Sequence, residues 1–273
     1  MKHFTVIGDP VEHSLSPIMH SWIFQKTGID AEYTKTYTTL DDLPTVIELM
    51  KSGKLDGMNV TIPHKEAVIE FLNEINLRAE SIGSVNCIMT TGGKTIGNNT
   101  DWYGFSKMLV QNEINVTGKE VIILGAGGVA KAVIFALGQL GVKKIRLLNR
   151  TLSRAQKLES DIISAHLIEQ ADKIIKDNSI LINCTSIGMD DNSSPVHKSL
   201  ISGNQILVDI IYIPHETRFL EIGKLKGAKT VNGLDMFIYQ ALKSIEIWRE
   251  TNYNLDSQIE SVRKKMDLPN FPG

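Results

Sequence analysis

The run Val121-Ile122-Ile123-Leu124-Gly125-Ala126-Gly127-Gly128-Val129-Ala130 constrains this chain more than any other. Its first four residues fit a buried strand, the glycines break the strand into a tight turn, and Lys131–Leu140 reads as a helix. Gly125 permits the turn, Gly127 lets backbone approach a ligand, and Ala130 keeps the helix close to the strand. A helix reached this way presents N–H groups and a positive dipole end, which suit a pyrophosphate. The spacing predicts a Rossmann dinucleotide unit, with Gly125, Ala126, Gly127, Gly128, Val129 and Ala130 around the phosphates.

The following strand selects the dinucleotide. A strand that serves NAD usually ends in Asp or Glu, whose carboxylate takes the ribose 2′-hydroxyl. Here it ends in Leu148-Asn149-Arg150-Thr151, with Arg154 one turn into the next helix. A carboxylate repels a 2′-phosphate, whereas a guanidinium grips it through two hydrogen bonds. The placement favours NADP over a merely solvated basic loop.

Around this unit the chain reads as α/β. Apolar runs at Phe4–Ile7, Glu32–Tyr37, Gly57–Thr61, Val85–Thr90, Glu120–Leu124, Lys144–Leu148, Ile180–Asn183, Ile206–Ile210 and Lys229–Val231 predict strands. Helical patterns around Pro17–Thr27, Asp41–Lys51, Asp101–Gln111 and Gly233–Glu250 separate or follow them. That alternation predicts mainly parallel sheets. At 273 residues, two domains are expected. No linker divides them, so the break is set near Asp101–Gln111, with a second crossing near Gly233.

Composition excludes several classes. A net charge of −2 without a Lys/Arg run leaves nucleic acid and anionic membranes without an electrostatic footprint. No apolar stretch is long enough to span a bilayer, and the N-terminus lacks a signal-peptide pattern. Cys87 and Cys184 sit in apolar runs and suggest a reducing, cytoplasmic setting. The histidines do not cluster and no paired CxxC occurs, so no metal site is expected.

The strand ends of the first half are polar, and ligands of open α/β sheets gather there. After the first strand comes Gly8-Asp9-Pro10-Val11-Glu12-His13-Ser14-Leu15-Ser16-Pro17. Ser16 before Pro17 suits a helix N-cap, yet capping leaves Ser14 unexplained. Two hydroxyls beside a helix start suit a carboxylate ligand. After the third strand, Asn59-Val60-Thr61-Ile62-Pro63-His64-Lys65-Glu66 predicts a helix starting near Pro63, with Lys65 in its first turn. A cation there opposes the dipole, which lowers a lysine pKa and suits proton transfer. A solvated lysine explains this segment equally well. Asn86 and Asp101 read singly as a turn residue and a helix start; together with Lys65 they make an acid/base pair in a polar pocket.

These segments resemble the shikimate dehydrogenase family in order and spacing. The likeness rests on Gly8–His20, Asn59–Lys65, Gly83–Asn86, Asn99–Asp101, Gly125–Ala130, Asn149–Thr151, Asn183–Met189, Asp209–Thr217 and Gly233–Gln240. It implies an N-terminal substrate domain with a mainly parallel sheet, a Rossmann NADP-binding domain, and a cleft between them. Its domains would span 1–103 with 236–273, and 104–235. The implied reaction is NADPH-dependent, reversible reduction of 3-dehydroshikimate to shikimate, within aromatic amino-acid (chorismate) biosynthesis. Ser14 and Ser16 would hold the substrate carboxylate, while Thr61, Asn86, Tyr212 and Gln240 would hold hydroxyls or line the pocket. Lys65 would be the general acid/base and Asp101 its partner. Asn149, Arg150, Thr151 and Arg154 would serve the 2′-phosphate end, and Thr185 and Gly233 would complete the cofactor contacts. Partners are expected to be the small-molecule substrate alone, with the chain a monomer or homodimer. An NAD-linked quinate/shikimate dehydrogenase and a non-catalytic dinucleotide sensor are the competing readings; Arg150 weighs against the first, and the Lys65–Asp101 pair against the second.

Overall fold

The computed structural model describes residues 1–249 and 258–266. The chain forms two compact units. One takes Met1–Gly104 and the described residues from Ile238 onward; the other takes Phe105–Phe237. Positions 250–257 and 267–273 of the expected substrate domain lie outside the described residues.

The first unit runs β1 (Lys2–Gly8), α1 (Ser16–Thr27), β2 (Ala31–Tyr37), α2 (Leu43–Lys51) and β3 (Gly57–Val60). It continues through β4 (Glu74–Ile75), α3 (Leu77–Ile82), β5 (Cys87–Thr91), β6 (Lys94–Asn98) and the start of α4 (Asp101–Gln111). Strand order is β2-β1-β3-β5-β6-β4. β1 pairs in parallel with both β2 and β3, as the βαβ reading requires. Beyond β3 the sheet is extended by an antiparallel hairpin, β5–β6, turning at Gly92 and Gly93. One face packs on α2 through Ile7, Leu43, Ile47, Met50, Met58 and Ile88. Burying such side chains stabilises by roughly 1.5–3 kcal/mol each.

The second unit runs β7 (Glu120–Leu124), α5 (Gly128–Gln139), β8 (Lys144–Asn149), α6 (Leu152–Gln156), β9 (Ile163–Leu167) and α7 (Ala171–Ile174). Then come β10 (Ile180–Asn183), β11 (Ile206–Asp209), α8 (Arg218–Leu225), β12 (Lys229–Val231) and the first residues of α9 (Leu234–Trp248). All six strands are parallel, ordered β9-β8-β7-β10-β11-β12. The chain thus winds outward from β7 to one side, returns, and winds outward from β10 to the other. That is the doubly wound order, and its ligand crevice lies at the strands' carboxyl ends, at the reversal between β7 and β10. Near-continuous burial of Val121, Ile122, Ile123 and Leu124 fits a central strand covered on both faces.

The rest of α9 returns to the first unit and presents Gln240, Ser244 and Trp248 to it. Trp248 stacks on Phe4 at 4.5 Å, and its indole N–H donates to the Ile88 carbonyl. A last helix, α10 (Ile259–Met266), packs on α1 with Ile259, Val262 and Met266 buried. No helix of the described residues is long and apolar enough to cross a membrane.

Sequence patterning misses β4, β6 and β9. β4 has two residues; β6 reads Lys-Thr-Ile-Gly-Asn and takes its place by pairing with β5; and β9 is a half-buried edge strand.

Candidate active site

The polar cluster of the first unit centres on Lys65 and Asp101. Lys65 Nζ donates to Asp101 Oδ2 at 2.7 Å, with the side chains 15% and 8% exposed. The other carboxylate oxygen, Oδ1, accepts from Asn86 Nδ2 at 2.8 Å. Asn86 is fixed in turn: its Oδ1 accepts the Thr100 N–H at 2.6 Å, and its own N–H donates to the Asn98 carbonyl. Gln240 Oε1 lies 3.5 Å from both Asn86 Nδ2 and Thr100 Oγ1. One carboxylate is thereby locked from two sides, and its charge holds the ammonium in one direction.

Two local expectations are corrected and a third is refined. No helix begins at Pro63. Val68 N–H reaches the His64 carbonyl, but the Lys65 carbonyl accepts from Val85 N–H and Ile69 N–H turns back to Glu66, so the i to i+4 ladder does not continue. A 3₁₀ turn at Ala67–Phe71 follows instead, so the helix end beside Lys65 is not its own: the ammonium lies on Asp101, the first residue of α4. Ser16 is not an N-cap: α1 starts at Ser16, and Leu15 precedes it without a side-chain cap. Asp101 starts α4 as expected, while Asn99 does the capping. Asn99 Oδ1 accepts the Asp101 and Trp102 N–H groups, which leaves the Asp101 carboxylate for Lys65 and Asn86.

Ser14 and Ser16 lie just beyond the carboxyl end of β1. Ser14 Oγ accepts the Ser16 N–H at 3.3 Å, and Ser16 is itself buried. Thr61 leaves the end of β3 with its N–H on the Ile7 carbonyl, which ties β1 and β3 where both exit the sheet. Ser14, Ser16, Thr61, Lys65, Asn86, Asp101 and Gln240 all belong to this unit. Tyr212 does not. It lies in the second unit, stacked on Phe237 at 4.2 Å, and burial pushes its phenol up to about 12.

The second unit carries the dinucleotide signature. Gly125 adopts φ +100°, and a Cβ there would approach Thr185 Cγ2 to 2.7 Å, so both conformation and space demand glycine. The turn is braced by Ala126 N–H donating to Asn149 Oδ1. Above Gly127 and Gly128 the space is open, and no side chain caps α5. An uncapped twelve-residue helix behind an open glycine turn fits a pyrophosphate. At the end of β8, Arg150 is exposed, as is Arg154 in α6; neither forms an ion pair with a described residue. Asn149 Nδ2 donates to the Thr151 carbonyl, holding this loop in a bend. The donor set, two guanidiniums and no carboxylate, fits a 2′-phosphate. Thr185 follows β10 and hydrogen-bonds Asn183; Gly233 sits so close to the Ile210 carbonyl that a Cβ would come within 2.0 Å.

Sequence reading singled out none of Tyr33, Asn59, Thr100 or Ser244, which form the support behind the Lys65 cluster. Tyr33 Oη donates to Asn59 Oδ1, Asn59 Nδ2 donates to Ser244 Oγ, and Ser244 Oγ lies 3.2 Å from Thr100 Oγ1. One signal was available: Ser244 follows Gln240 by four residues and shares its helix face.

A six-stranded doubly wound sheet with a glycine turn in one α/β unit, together with a buried Lys–Asp pair in the other, defines a dinucleotide-dependent dehydrogenase. Family models match as the shikimate dehydrogenase substrate binding domain over residues 6–88 and as shikimate / quinate 5-dehydrogenase over residues 108–211. Shikimate dehydrogenase (NADP(+)) of Staphylococcus aureus strain MRSA252 is 36% identical over 264 residues, covering 96% of this chain and 98% of that protein. The crystal structure of shikimate 5-dehydrogenase from Thermus thermophilus in complex with NADP(H) and shikimate superimposes with a TM-score of 0.85 at 33% identity, covering 97% and 99%. Quinate dehydrogenase from Corynebacterium glutamicum in complex with NAD matches at 26% identity with a TM-score of 0.87, covering 97% and 99%. The chain belongs to the shikimate dehydrogenase family.

Proposed function

We infer that this protein catalyses the NADPH-dependent, reversible reduction of 3-dehydroshikimate to shikimate. The observation that carries the reading is the Lys65–Asp101 pair at 2.7 Å, oriented by Asn86 and placed beside Gln240. When bound, NADPH supplies a hydride to the substrate carbonyl carbon. The carbonyl oxygen then needs a proton, and Lys65 Nζ gives it; in the reverse direction Lys65 takes the proton from the hydroxyl. Asp101 orients the ammonium and balances its charge. Ser14 and Ser16 hold the substrate carboxylate through their hydroxyls, and Thr61, Asn86, Gln240 and Tyr212 hold or flank its hydroxyl groups.

The cofactor end is served by the turn from Gly125 to Ala130 at the pyrophosphate. Asn149, Arg150, Thr151 and Arg154 serve the 2′-phosphate, and Thr185 and Gly233 the nicotinamide side. The two guanidiniums support NADP over NAD, since NAD carries no 2′-phosphate to engage them. Two buried free cysteines are consistent with a cytoplasmic setting. Absorbance at the NADPH band with shikimate or quinate, paired in turn with NADP or NAD, tests the reading. Turnover confined to shikimate with NADP is the expected result; turnover mainly with quinate and NAD overturns it.

A further inference from the structure

Asp209 takes no part in the roles above, yet its carboxylate is held by three donors. It ends β11 and is fully buried. Oδ1 accepts from Asn183 Nδ2 at 3.0 Å and from the Ile211 N–H at 3.0 Å; Oδ2 accepts from Thr217 Oγ1 at 2.8 Å. Each donor serves a further group. Asn183 ends β10, in register with Asp209, and its Oδ1 accepts both the N–H and the hydroxyl of Thr185. Its Nδ2 also lies 3.3 Å from the Ile187 carbonyl. Thr217 is the N-cap of α8 and accepts the Leu220 N–H. The two loops also touch: a Cβ on Gly188 would come within 3.4 Å of Thr217 Cβ.

A buried carboxylate is costly unless its lone pairs are filled, so such a cluster has few alternative arrangements. Burial pushes the Asp209 carboxyl up to about 6, against the pull of its three hydrogen bonds. The loops it joins are residues 184–189 and 210–217, which leave the sheet at the carboxyl ends of β10 and β11. Strand order makes this location informative. Arg150 follows β8, on one side of the glycine turn of β7, whereas β10 and β11 lie on the other. A dinucleotide whose pyrophosphate sits at that turn extends its 2′-phosphate end over β8 and its nicotinamide end over β10.

We propose that Asp209 is a positioning residue for the nicotinamide half of the cofactor, clamping the two loops that carry Thr185 and Tyr212. This rests on the dinucleotide reading of the second unit. Asp209 touches no reacting atom; it acts through Asn183, Ile211 and Thr217. Loosening it leaves the Arg150 end unaltered, so its effect falls on one half of the cofactor.

The test compares affinities for NADPH and for adenosine 2′,5′-bisphosphate, which carries the 2′-phosphate but no nicotinamide, in the full-length chain and in Asp209→Asn. The expected result is a fall of about 10-fold or more in NADPH affinity, the size of one lost hydrogen bond to a charged group, with bisphosphate affinity unchanged. Thr217→Val, which removes one donor, shifts the same ratio, and Thr217→Ser, which keeps the hydroxyl, restores it. Equal losses for both ligands make Asp209 a general structural residue and overturn the proposal; so does an unchanged ratio in Asp209→Asn. The readout is binding, so a wild-type chain that binds NADPH but leaves 3-dehydroshikimate unreduced overturns the functional reading while the ratio still decides the clamp.

Discussion

Lys65 and Asp101, 36 residues apart in the chain, meet at 2.7 Å with the carboxylate shared between the ammonium and Asn86. Because Asn99 takes over the start of α4, Asp101 spends neither oxygen on backbone N–H groups of its own helix.

That arrangement predicts a defect in chemistry rather than in binding. Lys65→Ala should lower kcat by about 10²–10⁴-fold with little change in KM for shikimate. Lys65→Met keeps the chain length without the proton and should be nearly as impaired. A variant that keeps kcat and raises only KM would make Lys65 a binding residue.

Asp101→Ala should damage stability as well as rate. Removing one partner leaves a largely buried ammonium uncompensated, a change that typically costs about 3–5 kcal/mol. Asp101→Asn retains shape and one acceptor, so it should unfold at a denaturant midpoint closer to wild type while remaining slow. Equal midpoints for all three proteins would mean the pair contributes no stability.

At the carboxylate end, Ser14→Ala with Ser16→Ala should raise KM for shikimate. Each hydroxyl lost from a charged ligand costs roughly 1.5–3 kcal/mol, or about 10- to 100-fold. Steady-state kinetics on the double variant decide the point, and an unchanged KM removes both serines from the site.

Arg150→Ala should weaken NADP strongly and leave NAD use nearly as it was, since only NADP bears the 2′-phosphate. Titration with both cofactors reads this directly. Parallel losses would assign Arg150 to the adenosine they share.

His20 gives the chain an acid-side weakness. Its ring is fully buried, stacked on Tyr33 at 4.1 Å, and neither nitrogen has a hydrogen-bond partner among the described residues. Burial lowers its pKa from 6.5 to about 3. The folded pKa lies below the unfolded one, so the stability tied to the neutral ring is present above pH 6.5. It is lost as pH falls from there toward about 3, by on the order of several kcal/mol. Asp209 works in the opposite sense: its raised pKa of about 6 makes its contribution complete below the ordinary value of 3.8 and lost as pH rises through about 6. The difference between wild type and His20→Leu cancels the Asp209 effect, which both proteins share. The denaturant midpoint of wild type relative to the variant should therefore be lower at pH 4.5 than at pH 7, and an equal difference at the two pH values removes His20 as the source.

The sequence by itself determined the glycine turn of the second unit and five of its six strands. Val121–Leu124 is apolar at every position, Gly125 must turn, and Asn149-Arg150-Thr151 closes the next strand; each signal is local, carried within a few residues by sterics and side-chain chemistry. It also supplied Lys65, Asn86 and Asp101 as candidates, each with an ordinary local explanation. Tertiary structure alone decided among those explanations. Lys65 lost its helix because Val85, twenty residues away, captured its carbonyl. Asp101 kept its carboxylate because Asn99 did the capping, and Ser14, rather than Ser16, took up the backbone N–H at the start of α1. The hairpin strand β6 and the edge strand β9 likewise exist through their partners, since their own residues carry little apolar pattern. Hydrogen bonds between residues far apart in sequence leave no periodicity to read. Their donors and acceptors are matched only when the sheet brings the strand ends together, and it is there that the catalytic candidates acquire distinct environments.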